Sequence, residues 1–159
     1  MSTVTGRLGL DRLSNADVSV LSLRVGVGLI MLVHGLGKLT GAGPAGSGID
    51  GFAFALAGLG VPAPILTAWL VGFAETIGGL LVLVGLFSRV GAAAIAVVMT
   101  GAILLVHLPN GFVVSNGGYE FALLLLLVSV SLVFTDPGRY SVAHWLADRE
   151  AEKTARPAA

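Results

Sequence analysis

Residues 69–87 read WLVGFAETIGGLLVLVGLF, and this stretch decides the class of fold. It is long and apolar enough to cross a hydrocarbon core of about 30 Å as a helix, because each helical residue adds about 1.5 Å. Glu75 is the one charged residue within it, and the next charged residue along the chain is Arg89. Since a carboxylate at membrane depth is costly, Glu75 is expected to face other helices or a water-filled cavity.

The composition of the whole chain agrees with a one-domain membrane protein. Of its 159 residues, 55% are hydrophobic and 11% are charged, whereas soluble chains carry about 25% charged residues. The formal net charge is zero, which gives no support for nucleic-acid binding. The chain contains no cysteine, which excludes disulfides, thiolate-held metal clusters and thiol redox chemistry by the chain itself.

Four segments have the length and composition of membrane-spanning helices. They cover residues 18–39, 65–87, 90–108 and 119–134. Long apolar runs without internal proline favour helices over barrel strands, whose residues alternate in polarity. The sequence therefore predicts an all-α four-helix transmembrane bundle over residues 18–135, with an external loop at 40–64, a cytoplasmic segment at 1–17 and a cytoplasmic interfacial segment and tail at 136–159.

The external loop contains the signals of a short interfacial helix. Ser47 and Asp50 have the spacing of a capping box, and the apolar face that follows ends before Pro62. A structureless loop is the alternative. Apolar residues around Trp145 predict a similar helix near the C-terminus.

Basic residues divide unevenly between the two sides of the predicted bundle. Lys38 alone falls on the outer side, and eight residues fall on the side of the termini: Arg7, Arg12, Arg24, Arg89, Arg139, Arg149, Lys153 and Arg156. By the positive-inside rule, both termini are expected in the cytoplasm.

Helical angles place the polar residues of the first two spans on faces rich in glycine. Gly28 and Gly35 lie close to Arg24 on the first helix, at about 100° per residue. On the second helix Gly72, Gly78 and Gly79 share the face of Glu75. Small residues mark close approaches between helices. The two faces are therefore predicted to pack against each other.

Five ionisable side chains are predicted to line a polar cavity that opens outward: His34, Lys38, Glu75, His107 and Glu120. Glu75 and His34 are the candidates for proton handling, while Arg24, Lys38, His107 and Glu120 are candidate ligand contacts. Each has a structural alternative. Glu75 could pair with Arg24, His34 or Lys38 or simply be protonated. Arg24 could clamp helices, Lys38 could extend to head groups, and His107 and Glu120 could cap the third loop.

Two histidines on different helices of a bundle also permit bis-histidine haem ligation. His107, however, lies next to a helix end at Pro109, and there is no second pair. Haem is therefore disfavoured, and no metal site is predicted. The cofactor stays unassigned from these residues.

Three stretches resemble the motifs of the DoxX family of bacterial and archaeal membrane proteins. They are LRVGVGLIMLVHGLGKL at 23–39, AETIGGLLVLVGLFSRVGA at 74–92 and HLPNGFVVSNGGYEFALLLLLVSVSLVFTDPGRYSV at 107–142. Many members have an aspartate soon after the last motif, where this chain has Val142-Ala143-His144. The motif residues carried over are Arg24, His34, Gly35, Lys38, Glu75, Gly78, Gly79, Arg89, Gly118, Glu120, Pro137, Gly138 and Arg139.

The resemblance implies a four-helix protein of the cytoplasmic membrane of a prokaryote. Relatives are subunits of a thiosulfate:quinone oxidoreductase or are linked to oxidoreductase complexes that handle thiol and oxidative stress, and a quinone is therefore the candidate cofactor. The first functional hypothesis is therefore a membrane subunit that binds a quinone-like or other amphipathic molecule and works with a partner oxidoreductase subunit. A second hypothesis is a non-catalytic membrane anchor or assembly scaffold, and a third is a small carrier of amphiphiles. The glycine-rich faces also make a homo-oligomer a candidate state.

Overall fold

The computed structural model describes residues 15–155, which form six α-helices and no β-strand. The helices are α1 (Asn15–Thr40), α2 (Gly48–Gly58), α3 (Pro64–Val84), α4 (Ser88–Ala102), α5 (Glu120–Phe134) and α6 (Val142–Ala155). A π-helical segment, Ile103–His107, and a 3₁₀ turn, Leu108–Asn110, continue α4, and a second 3₁₀ turn covers Val114–Asn116. Those parts of the predicted terminal segments that fall on residues 1–14 and 156–159 lie outside the described residues.

The all-helical prediction is confirmed for the described part of the chain. Three helical stretches there are long and apolar enough to cross a membrane: Ala16–Thr40, Pro64–Val84 and Ser88–Asn110. The helix over the fourth predicted span, α5, has 15 residues and a length of about 22 Å. It is apolar but shorter than the other three.

The connection between α3 and α4 is a tight turn. α3 ends at Gly85, which adopts the left-handed conformation with φ +72° and donates its N–H to the Leu81 carbonyl. Phe87, also left-handed with φ +49°, then precedes the first residue of α4. A Cβ on Gly85 would collide with the Arg24 guanidinium, so this turn requires glycine for space as well as for conformation.

Glycines let the backbones of α1 and α3 approach closely. A Cβ on Gly79 would lie 2.8 Å from the Leu32 nitrogen and 2.9 Å from the Gly28 carbonyl oxygen. A Cβ on Gly35 would collide with Thr76 of α3. These are backbone or near-backbone contacts with no room for even a methyl group, as expected of helix pairs in membranes.

The remaining glycines of the predicted packing face lie at other contacts of α3. A Cβ on Gly78 would lie 3.0 Å from the Gly91 carbonyl oxygen of α4, and one on Gly72 would lie 2.7 Å from Leu39 of α1. α4 in turn packs against α5. One apolar core joins α1, α3, α4 and α5, and its buried members include Val27, Met31, Val82, Ile95, Met99 and Leu125.

The external connection contains the predicted short helix, but its predicted cap is absent. α2 covers Gly48–Gly58 and buries Ala53 and Leu56 against Ala68 of α3. The Ser47 side chain makes no capping hydrogen bond, so the capping-box prediction was wrong. Apolar packing against α3, which the helix gains without a cap, accounts for its position.

The α1–α3 contact predicts opposite effects for two glycine substitutions in the same bundle. Gly79→Ala is expected to lower the free energy of unfolding by about 1–3 kcal/mol, because its methyl group meets backbone atoms that cannot rotate away. Gly26→Ala is the matched control, since a Cβ there has no neighbour within 4 Å. It should leave stability unchanged or raise it by up to about 1 kcal/mol through helix propensity. Thermal unfolding in detergent measures both, and equal melting temperatures would contradict the close contact.

Candidate functional site

The centre of the candidate site is an ion pair between two helices. Lys38 Nζ lies 2.5 Å from Glu75 Oε2, which joins the last turn of α1 to the middle of α3. The Glu75 side chain is only 3% exposed, and that of Lys38 is 15% exposed. Of the three partners that the sequence left open for Glu75, the structure selects Lys38.

A third helix completes the surroundings of Lys38. Its Nζ lies 5.1 Å from the centroid of the Phe52 ring, so the ammonium group contacts α2 through a cation–π interaction. Lys38 also lies in the last turn of α1, where the helix dipole favours a positive charge. One side chain therefore connects α1, α2 and α3.

A cavity of about 330 Å³ opens on one side of the ion pair, and we call it the large cavity. It lies between α2, α3 and α4. Four of its lining side chains are polar: Lys38, Thr67, Glu75 and His107. The others are apolar or glycine: Phe52, Leu56, Val61, Val71, Val97, Val98, Gly101, Ala102, Leu105 and Val106. Apolar walls with a few convergent polar groups are typical of small-molecule sites, and this volume lies within their range.

A second cavity of about 130 Å³, the small cavity, lies on the other side of the ion pair within the bundle. His34 and Met31 of α1 line it together with residues of α4 and α5. Lys38, Glu75 and His107 line both cavities, as does Ala102. The ion pair and His107 therefore form the boundary between the two spaces.

A local widening of the third apolar helix shapes this boundary. Residues 103–107 form a π-helical segment, and Leu105, Val106 and His107 within it line the large cavity. Single π turns inside α-helices are rare and frequent at functional sites. His107 is held in place by its Nδ1, which lies 2.7 Å from the Gly117 carbonyl oxygen of the following loop.

Glu120 takes the structural alternative foreseen for it. Its Oε1 accepts a 2.6 Å hydrogen bond from the Val114 N–H, which ties the start of α5 to the preceding 3₁₀ turn. It lines neither the large nor the small cavity. The structure therefore does not bring Glu120 together with the other four predicted cavity residues.

Arg24 likewise lies away from both cavities, at the opposite end of α1 from Lys38. The side chain is buried, and its guanidinium donates four hydrogen bonds to carbonyl oxygens, those of Val82 (2.9 Å), Leu83 (2.9 Å), Pro137 (2.8 Å) and Tyr140 (3.0 Å). It thereby ties α1 to the end of α3 and to the segment before α6. This is the helix clamp that the sequence offered as the alternative to a ligand role.

Several cavity residues escaped the sequence analysis. Phe52 was placed on the apolar face of α2, but nothing in that pattern indicated a contact with Lys38. Thr67 and Gly101 are ordinary residues of apolar helices, and no sequence signal marks the π-helical segment. Within the described residues there is no cluster of three histidine, aspartate or glutamate side chains that could hold a metal ion.

The DoxX family model matches residues 19–108, which is more than half of the chain and includes the ion pair and His107. The chain belongs to the DoxX family. The resemblance drawn from the three sequence motifs is thereby confirmed. The match spans α1 to the end of the π-helical segment, so both cavity-forming histidines and both members of the ion pair fall within the family region.

Two bacterial relatives are similar over most of their length. The Bacillus subtilis protein named "Putative oxidoreductase CatD" is 35% identical over 119 residues, which cover 75% of this chain and 80% of the relative. The Mycobacterium tuberculosis protein named "Uncharacterized membrane protein Rv3486" is 34% identical over 148 residues, 87% of each chain. No solved structure matches this DoxX-family chain.

The ion pair predicts strong coupling between its two partners. Lys38→Met is expected to cost about 3–5 kcal/mol, because it leaves the buried Glu75 carboxylate unpaired. Adding Glu75→Gln to that variant removes the orphaned charge and should restore a large part of the loss. Thermal unfolding of the two single variants and the double variant in detergent gives the coupling energy. Additive effects would show that the two charges do not interact.

Proposed function

We propose that this DoxX-family membrane protein binds a quinone-like or other amphipathic small molecule in the large cavity, as a subunit of a membrane oxidoreductase system. The observation that carries the proposal is the cavity itself, whose walls are apolar apart from the Lys38–Glu75 pair, Thr67 and His107. A ligand with a polar ring and an apolar tail matches this division. The oxidoreductase part rests on the name of one relative.

The proposal includes four membrane spans, with α5 as the fourth. α5 buries Ala122, Leu125 and Leu132 in the bundle core, and a short span is tolerated where the bilayer thins locally. Both termini are proposed to be cytoplasmic, on the strength of the uneven distribution of basic residues. The large cavity, α2 and the ion pair then belong to the outer half of the cytoplasmic membrane, and α6 lies along its inner surface.

Separate roles follow for the residues around the ligand. Lys38 and His107 contact its polar group, and Glu75 and His34 pass protons, since the small cavity connects the ion pair with the His34 side chain. Arg24 and Glu120 are assigned to holding the bundle and the loop, because their polar atoms bond backbone groups outside the cavities.

A non-catalytic anchor or assembly scaffold for a partner subunit is the second candidate function. The observation that favours it is the near-complete burial of Glu75 against Lys38, which fixes the register of α1 and α3 whether or not a ligand binds. A scaffold predicts that Glu75→Gln weakens partner capture while ligand retention, if any, is unaffected. A homo-oligomer that packs through the remaining glycine-rich faces would also act as a scaffold.

Filling the large cavity tests ligand binding directly. Gly101→Leu should abolish binding of a decyl-substituted hydroquinone to the purified chain in nanodiscs, because a Cβ at this position meets nothing within 4 Å and the longer side chain would occupy the cavity. Ala93→Leu is the matched control, since Ala93 lies on the exposed face of the same helix. Calorimetric titration measures both. Unchanged binding by Gly101→Leu would place the ligand elsewhere, and no binding by the unmodified chain would favour the scaffold.

A further inference from the structure

The hydrogen-bonding capacity of the large cavity narrows the class of ligand it fits. Each of its four polar side chains, Lys38, Thr67, Glu75 and His107, already uses part of its capacity within the protein. What remains determines whether a ligand must donate or accept hydrogen bonds. A ligand that fills the cavity displaces water from the remaining groups, so it must offer them hydrogen-bond partners or leave them unpaired.

His107 offers an acceptor. Its Nδ1 lies 2.7 Å from the Gly117 carbonyl oxygen, and a carbonyl oxygen can only accept, so Nδ1 carries the hydrogen. The neutral ring then has a lone pair on Nε2. The Asn110 side-chain amide donates to the same carbonyl at 3.4 Å, which agrees with an oxygen that only accepts. Nε2 is therefore the nitrogen left for a ligand, and it needs a donor.

Glu75 and Thr67 offer two more acceptors. Lys38 occupies Oε2 of Glu75, and among residues 15–155 no donor reaches Oε1, although the side chain lines both cavities. The Thr67 hydroxyl donates its hydrogen to the Pro62 carbonyl oxygen at 3.2 Å. Its oxygen keeps lone pairs but has no further hydrogen to give.

Lys38 is the one side-chain donor that remains, and most of its capacity is used. Its ammonium group donates to Glu75 and faces the Phe52 ring at 5.1 Å. The cavity therefore presents three acceptors and a single partly engaged donor. A quinone brings only carbonyl acceptors, so where it displaces water from these acceptors it leaves them without partners, which costs free energy.

We infer that the ligand of the large cavity is a hydroxyl-bearing amphiphile, such as a hydroquinone or another phenol with an apolar tail, rather than the oxidised quinone. Its hydroxyl hydrogens meet His107 Nε2 and Glu75 Oε1, and a hydroxyl oxygen accepts from Lys38. The inference rests on the proposed function, because it names the ligand class for the same cavity. It makes the chain a receptor for the reduced form of an amphipathic redox compound.

Three probes of nearly equal shape test whether the cavity prefers a ligand that donates hydrogen bonds or one that only accepts them. The full chain in nanodiscs is titrated with decylhydroquinone, with its dimethyl ether and with decylbenzoquinone, under nitrogen and with a thiol reductant in the hydroquinone sample. The reductant leaves the protein unchanged, since the chain has no cysteine. Hydroquinone is expected to bind roughly tenfold or more tightly than its ether, because two hydrogen bonds of ordinary strength distinguish them.

Two histidine substitutions test whether the preference for hydroquinone over its ether depends on His107 Nε2. His107→Asn keeps an amide N–H for the Gly117 carbonyl but has no counterpart of Nε2, so the affinity for hydroquinone should fall toward that for the ether. His144→Asn is the matched control, since His144 is exposed on α6 and far along the chain from the cavity. It should keep the full preference. The comparison of the three probes on the unmodified chain does not depend on how well the His107 variant folds.

Each outcome has one meaning. Equal binding of hydroquinone and ether, or tighter binding of the quinone, overturns the inference and leaves the proposed amphiphile site standing. A preference that survives His107→Asn also overturns it. Absence of binding by all three probes overturns the proposed function together with the inference.

Discussion

The rest of the structure depends on the pairing of Lys38 with Glu75. An isolated carboxylate within an apolar helix is costly in a membrane, and Glu75 lies in the middle of α3 with 3% of its side chain exposed. Pairing removes that cost only when α1 and α3 have one particular register. The close contacts at Gly28, Gly35 and Gly79 belong to the same register, because they bring the two backbones near enough for the pair to form.

The two buried cations of α1 serve different purposes. Arg24 donates four hydrogen bonds to backbone carbonyls, two at the end of α3 and two in the segment before α6. A planar, permanently charged group suits this fixed clamp. Lys38 is a single point charge between a carboxylate and an aromatic ring, next to open space on two sides. One cation therefore joins α1 to the end of α3 and to the segment before α6, while the other borders the two cavities.

The sequence predicted the helices well because its signals there are local. Each signal depends on residues within one or two turns of the chain. The signals are the long apolar runs, the glycines beside Glu75 and the left-handed Gly85 after α3. The candidate site was predicted in part: His34, Lys38, Glu75 and His107 do meet around the two cavities. Whether they take the proposed proton-handling and ligand roles stays a prediction.

The remaining differences have non-local causes. Arg24 bonds Pro137 and Tyr140, more than a hundred residues along the chain, and no spacing rule could pair them. The sequence pattern grouped Glu120 with the other polar residues of the predicted cavity. In the structure its carboxylate instead accepts a hydrogen bond from the nearby backbone N–H of Val114. The π-helical turn at residues 103–107 depends on packing around it, and no residue type specifies such a turn.

The central claim is that an amphiphile occupies the large cavity beside Glu75. Photolabelling tests it most directly: a decylphenol that carries a diazirine on its ring is bound to the chain in nanodiscs, irradiated, and located by mass spectrometry. The account predicts labels on the segments at 61–71 and 97–107 that line the cavity, with competition by unlabelled decylhydroquinone. Labels confined to exposed side chains such as Phe73, Leu80 and Val90, without competition, would show a probe dissolved in lipid and would contradict the account.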